Sequence, residues 1–170
     1  MIDISCTQSV ILKSREGDIL RPLANKVKLL DWNHPKDPDP IMLLEQAMYI
    51  RIVRDTRISG INGCVALVCI TQYMGKPMQK WTPHPYVSCL VVDERWRHLR
   101  IATSLVDGCI GHILTCTGTG KPAVLYAAVD NPGAVAFFES YGKKPNVWLP
   151  YDDAFNENGS LTKIYKLTAR

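Results

Sequence analysis

The chain has 170 residues, 46% of them apolar and 21% charged, enough to enclose one hydrophobic core and too few for two of ordinary size. That apolar content excludes a mainly disordered segment, because the chain can bury enough surface to offset its ordering entropy. Twenty Lys and Arg against 16 Asp and Glu leave a formal charge of +4, which permits an anionic ligand but falls short of the asymmetry of a dedicated nucleic-acid binder.

A single domain over residues 1–170 is expected. The longest apolar run, Cys64-Val65-Ala66-Leu67-Val68-Cys69-Ile70, is far shorter than the ~20 residues of a membrane-spanning helix. The start, Met1-Ile2-Asp3-Ile4-Ser5, lacks the basic-then-apolar pattern of a secretory leader, so the expected location is the cytoplasm, with no membrane partner. Cys6, Cys64, Cys69, Cys89, Cys109 and Cys116 lie in apolar or periodic segments without a Cys-x-x-Cys pair. They read as buried, reduced thiols. His34, His84, His98 and His112 are scattered, and no metal site is expected.

In chain order, the pattern predicts a strand over 2–6 and a helix over about 19–30. A proline-rich loop at 33–40 follows, then a short helix from about Ile41. Strands are expected over 48–54, 63–73 and 86–92, the last two nearly all apolar and so placed mid-sheet. The segment 75–85 reads as a loop. Ile101, Leu105, Cys109 and Ile113 recur every four residues and predict a long helix. Gly108 and Gly111 inside it suggest a close backbone approach to a sheet. A strand over 123–129 precedes a helix with Asn131 as N-cap, Pro132 in its first turn, and Ala134, Phe137, Phe138 and Tyr141 on one face. Gly142 stops that helix. An irregular strand is expected over 144–149, a polar loop over 151–161 carrying Asp152, Asp153 and Glu157, and a last strand over 162–168.

The chemistry concentrates in Val91-Val92-Asp93-Glu94-Arg95-Trp96-Arg97-His98-Leu99-Arg100-Ile101-Ala102-Thr103, a buried strand turning into the long helix. Residues 97–101 offer no Ser, Thr, Asp or Asn to cap the helix's first N–H groups. A phosphate is the natural acceptor, with Arg95, Arg97 and Arg100 adding charge. The plainer alternative is a cap by Asp93 or water and a solvated basic face.

Arg97-His98-Leu99-Arg100-Ile101-Ala102 resembles the Arg/Gln-x-x-Gly-x-Gly/Ala pyrophosphate loop of the GNAT family of N-acetyltransferases. Asn131-Pro132-Gly133-Ala134-Val135-Ala136-Phe137-Phe138-Glu139-Ser140-Tyr141-Gly142 is similar to that family's Asn-x-x-Ala-x-x-Phe/Leu-Tyr-Glu-x-x-Gly-Phe segment. The two motifs cover about residues 86–142, in the family's order, with one strand between them. The resemblance implies a mixed α+β fold, with a mostly antiparallel sheet of six to seven strands flanked by about four helices. It implies acetyl-CoA as cosubstrate, its pantetheine arm paired with the backbone of Leu90, Val91 and Val92. The N–H groups of Arg97, His98, Leu99, Arg100, Ile101, Ala102 and Thr103 would hold the pyrophosphate, and Asn131 and Phe138 would flank the arm.

Two positions depart from the family pattern. Arg100 stands where the loop glycine is usual, either loosening the cradle or adding a charge-assisted bond to a phosphate. Phe138 stands where many members carry the tyrosine that protonates the leaving thiolate. Tyr126 and Tyr141 are candidates for that acid, although a ring in the core with its hydroxyl at the rim is the commoner role of such tyrosines. Glu94, His84, Ser88 and Cys89 are candidate bases. An acidic rim of Asp152, Asp153 and Glu157 would recruit an amine.

The expected function is acetyl transfer from acetyl-CoA to an amine, whether a small molecule, a peptide amino terminus or a lysine. The alternative is a catalytically weak or inactive module of the same fold that binds CoA or a protein. A nucleic-acid-directed enzyme using Arg95, Arg97, Arg100, Trp81 and Trp96 is a third, less favoured reading. An edge strand and Trp148 would suit a homodimer.

Overall fold

The computed structural model describes residues 6–12, 17–30, 39–73, 84–117, 124–129, 132–142, 148–155 and 161–168. Among them are seven strands, β1 (Thr7–Leu12), β2 (Tyr49–Asp55), β3 (Cys64–Tyr73), β4 (His84–Val92), β5 (Val124–Val129), β6 (Trp148–Phe155) and β7 (Leu161–Thr168). The longer helices are α1 (Gly17–Leu29), α2 (Pro40–Glu45), α3 (Ile101–Thr117) and α4 (Pro132–Gly142). The mixed α+β class and the numbers of strands and helices agree with the sequence reading. No helix among the described residues is long and apolar enough to cross a membrane.

The chain divides into two compact units, one from the described residues of Met1–Thr71 and Ser88–Asp107, the other from those of Gln72–Val87 and Gly108–Arg170. In the first unit β1 pairs antiparallel with β2, and β2 with β3. One face of these strands supports α1 and α2 through Leu23, Val27, Leu44, Ile50, Ile52, Leu67, Cys69, Cys89 and Val91, all in one buried cluster. α2 begins at a cap that the proline-rich composition conceals. Asp39 Oδ1 accepts from the Ile41 N–H at 3.1 Å, and Pro40 occupies the first helical position, where its missing donor is harmless. Asp39 Oδ2 also accepts from Lys28 Nζ at 3.3 Å, which ties α2 to α1. The Ile41 and Lys28 donors hold the Asp39 carboxyl below its usual range.

The first described strand, β1, is Thr7–Leu12, preceded by Cys6; the strand expected over 2–6 falls, at residues 2–5, outside the described residues. Its inward residues are Val10 and Leu12, which pack on the buried cluster, while polar Gln8 and Ser9 are exposed. An edge strand of this kind has a weak alternation. Its register is held by side chains as well as backbone: Arg51 Nε donates to Ser9 Oγ at 2.6 Å and the Arg54 guanidinium to Gln8 Oε1 at 3.0 Å.

Cys64, Cys69, Cys89 and Cys109 are buried free thiols, as expected, and Cys6 is half-buried. Cys116 has a side chain outside the described residues. Burial pushes the Cys64 thiol up to about 11. A hydrogen bond with Cys89, together with burial, pushes Cys69 well above the usual thiol range. Both therefore remain neutral packing groups at physiological pH.

In the second unit β5 pairs antiparallel with β7, and β7 with β6. The start of β4 pairs in parallel with β5 at Tyr86↔Tyr126. β4 begins at His84, so His84 and Pro85 belong to the strand rather than to the expected loop. β6 also departs from the sequence pattern, running Trp148–Phe155 with a register shift between Pro150 and Asp152. Asp152 and Asp153 are thus strand residues opposite Ile164 and Lys163, not loop residues. Pairing along β7 overrides the weak strand propensity of this polar stretch. Residues 144–147 and Glu157 lie outside the described residues. Gly111 also corrects expectation. It is exposed, and a Cβ built on it meets nothing within 4 Å, so it marks no close approach.

Candidate functional site

The end of β4 alternates sharply. Cys89 and Val91 are buried in the core of the first unit, whereas Ser88, Leu90 and Val92 are half-buried. The Asp93 N–H donates to the Val65 carbonyl at 2.8 Å. Because successive residues of a strand direct their backbone groups to opposite edges, Val91 shares the β3 side with Asp93, and Leu90 and Val92 face the other edge. Of the three residues expected to pair with an extended ligand, Val91 is therefore turned the wrong way.

β4 ends in a tight turn. Asp93 caps a single 3-10 turn, Glu94–Trp96, accepting from the Arg95 N–H at 3.0 Å. The Arg95 side chain folds back onto the same carboxylate, with Nε at 3.1 Å and a terminal nitrogen at 2.9 Å. That guanidinium, aided by the Arg95 N–H, holds the Asp93 carboxyl below its usual range against the opposing effect of burial. Trp96 is buried and anchors the turn. Arg97 then donates from Nε to the Val92 carbonyl at 3.2 Å.

Two of the three arginines expected to supply charge are thus engaged within the protein. Asp93 caps the 3-10 turn rather than α3. Trp96, considered as a stacking surface for nucleic acid, is a core residue.

His98 and Arg100 adopt left-handed backbone conformations, with φ of 64° and 60°. α3 starts immediately afterwards, and its first described backbone bond runs from the Ser104 N–H to the Arg100 carbonyl at 3.0 Å. The N–H groups of Ile101, Ala102 and Thr103 therefore precede the helix's own ladder. Ile101, Leu105 and Val106 are buried and fix the helix start, while Arg97, His98 and Arg100 are exposed. This donor set, three amides at the positive end of a helix beside an exposed guanidinium, suits an anion.

In the second unit Phe138 is 2% exposed and Tyr141 3%. Phe138 packs edge-on against Phe137 with centroids 5.0 Å apart, and Tyr141 lies 5.9 Å from Phe137. Tyr126 is placed by its backbone, opposite Tyr86 and Lys166. Asn131 and Trp81 lie outside the described residues.

The profile of the Acetyltransferase (GNAT) family matches residues 20–142. The chain belongs to that family. A search of curated proteins found no match. Among solved structures, a chain of the NatC complex bound to Gag peptide and CoA is 14% identical, covering 96% of this chain and 99% of that chain with a TM-score of 0.66. A putative GNAT acetyltransferase from Desulfovibrio desulfuricans is 14% identical over 95% of this chain and 99% of that one, with a TM-score of 0.65. The ribosomal-protein alanine N-acetyltransferase from Escherichia coli is 14% identical over 95% and 94%, with a TM-score of 0.59. At these identities the likeness is one of fold.

Within the GNAT fold, the left-handed Arg100 explains how this chain dispenses with the usual loop glycine. The backbone keeps a conformation that glycine adopts freely, at a steric cost to the arginine. Among the candidate bases, Cys89 points into the core and bonds to Cys69, and Ser88 Oγ donates to the Cys69 carbonyl at 3.4 Å. Glu94 is exposed in the 3-10 turn. The side chain of His84 is outside the described residues. Sequence reasoning missed the Asp93–Arg95 clasp, although Asp-x-Arg at the end of a strand is a detectable signal: Asp55-Thr56-Arg57, which begins on the last residue of β2, forms the same clasp.

Proposed function

We propose that the chain is an acetyl-CoA-dependent N-acetyltransferase acting on an amine. The observation that carries this reading is the junction of β4 and α3, where the N–H groups of Ile101, Ala102 and Thr103 precede the helix ladder beside exposed Arg100. Acetyl-CoA supplies the acyl group already activated as a thioester. The three N–H groups would hold its diphosphate, and the β4 edge that Leu90 and Val92 face would align the pantetheine arm as an added strand does. Alignment of this kind turns attack by the amine into an effectively intramolecular step. The nitrogen forms its bond to the thioester carbon, the carbon–sulfur bond breaks, the amine gives up a proton and the thiolate takes one. Tyr126 and Tyr141 remain the proposed donors of the latter proton. The acceptor class, whether small amine, peptide amino terminus or lysine, is left broad, although the NatC and ribosomal-protein enzymes make polypeptide amines the first to screen.

A CoA-binding module without chemistry is the second reading, favoured by the burial of Phe138 and Tyr141. Calorimetric titration with acetyl-CoA, for the wild type and Ala102→Glu, tests the cosubstrate site. Micromolar binding abolished by the introduced carboxylate is expected. Thiol release with an amine panel then separates the readings: turnover supports the enzyme, and binding without turnover on any amine supports the module.

A further inference from the structure

The loop between β4 and α3 carries three arginines, and the structure distinguishes them. Arg95 spends its guanidinium on Asp93, and Arg97 directs Nε to the Val92 carbonyl. The Arg100 side chain is exposed and makes no hydrogen bond or ion pair with another described residue. It is rooted at the position whose carbonyl accepts the first bond of α3, next to the three N–H groups ahead of the ladder. Its left-handed φ of 60° is unfavourable for any side chain of this size.

We propose that Arg100 makes this chain selective for the 3′-phosphorylated form of its cosubstrate by pairing with the ribose 3′-phosphate of acetyl-CoA. This rests on the reading that the loop binds the diphosphate of that molecule. The diphosphate is met by backbone donors, which act at close range and leave it no need of a long side chain. The 3′-phosphate is a monoester that carries more than one negative charge at neutral pH and presents three acceptor oxygens. It sits on the ribose, at the end of acetyl-CoA remote from the thioester. An exposed guanidinium on a flexible stem at the rim of the cradle matches such a group in charge and, through its two-pronged donors, in geometry. Neither engaged arginine has the same freedom.

The test is calorimetric titration of the full chain at low salt with acetyl-CoA and with 3′-dephospho-acetyl-CoA, for the wild type, Arg100→Gly and Arg100→Lys. Glycine tolerates the left-handed backbone, so Arg100→Gly removes the side chain while keeping the loop. The wild type is expected to bind acetyl-CoA about tenfold more tightly than the dephospho form, the gain of a charge-assisted contact partly screened by water. Arg100→Gly should bind both compounds equally, at the wild-type affinity for the dephospho form, and Arg100→Lys should retain part of the preference. An equal loss of affinity for both compounds in Arg100→Gly would place the guanidinium on the diphosphate and overturn the proposal. An unchanged preference in Arg100→Gly would also overturn it, by assigning the 3′-phosphate to another residue. Failure of the wild type to bind either compound is a different result, overturning the acetyl-CoA reading itself and this inference with it.

Discussion

Phe138 of α4 and Tyr165 of β7 stack with ring centroids 5.5 Å apart and planes inclined by 19°. Both rings are almost wholly buried, at 2% and 1% exposure. The position at which many family members carry a tyrosine is therefore, in this chain, part of a packed aromatic cluster. Replacing Phe138 with alanine is expected to cost about 3–5 kcal/mol, the usual effect of emptying a buried aromatic site. Phe138→Tyr should cost about 1–3 kcal/mol because a hydroxyl enters a filled space. It should not accelerate thiol release, since the stack fixes the ring. Urea unfolding and a thiol-release assay read these two effects, and a faster Phe138→Tyr enzyme would refute the second.

Arg100 and His98 predict a gain in stability from an apparently disruptive change. A left-handed non-glycine residue costs about 1–2 kcal/mol, and glycine adds back about 0.4–1 kcal/mol through the freedom of the unfolded chain. The first effect wins at Arg100, so Arg100→Gly should raise the stability by up to about 1 kcal/mol. His98→Gly should gain less, because histidine tolerates this conformation better than most residues. A shift of the urea midpoint at constant slope is the measurement.

The Asp93–Arg95 clasp makes a third prediction. Asp93→Ala removes the cap of the 3-10 turn, worth about 1 kcal/mol, and releases the Arg95 guanidinium. The turn holds Trp96 in the core and sets the chain direction into α3. Affinity for acetyl-CoA should therefore fall along with stability. Asp93→Asn, which keeps an acceptor for the Arg95 N–H, should recover much of the stability. Parallel unfolding and titration curves for the two variants measure this, and equal destabilisation by both would show that the charge rather than the cap matters.

The central elements were legible from sequence because burial and periodicity there agree. β3 is buried along its described length, and in α3 Ile101, Leu105, Cys109 and Ile113 are all buried as their spacing implies. The paired motifs made the family readable. What sequence concealed depended on contacts between distant segments: β1 is recognisable only through its pairing with β2, and β6 only through β7. The loop at residues 97–103 was found from its missing cap. The pairing of Arg95 and Arg97 with protein acceptors was not, since like residues in one run gave no sign that their partners differ.

Asp55 supplies a pH prediction. The residue is 4% exposed, and its carboxyl accepts from the Arg57 side chain at 2.9 and 2.7 Å and from the Arg57 N–H at 3.0 Å, which pushes its pKa down to about 2. In the unfolded chain an aspartate titrates near about 3.9. As pH falls from about 4 towards 2, the unfolded state gains a proton at this site before the native state does, and stability is lost. Above about pH 4 the contribution is fully present. Asp55→Asn should therefore be less stable at neutral pH and should lose stability less steeply between pH 4 and 2. Unfolding curves across that range decide it, and parallel pH profiles for the two proteins would contradict the assignment.

Two glycines, alike in sequence, should respond oppositely to alanine. At Gly63, which precedes β3, an added Cβ would lie 2.6 Å from the Ile58 carbonyl oxygen and 2.8 Å from that of Asp55. Both are backbone atoms, so relief requires the turn between β2 and β3 to shift. That turn also carries the Asp55–Arg57 clasp. Gly63→Ala is therefore expected to destabilise the protein by about 1–3 kcal/mol, the range of an overpacked core site. Gly111 lies inside α3, where a Cβ meets nothing within 4 Å. There the same substitution removes unfolded-state entropy and improves helix propensity, so Gly111→Ala should stabilise the protein by about 0.5–1 kcal/mol. Thermal unfolding of the two single variants distinguishes these signs. A destabilised Gly111→Ala protein would show that α3 carries a neighbour at this position, restoring the close approach that its glycine first suggested.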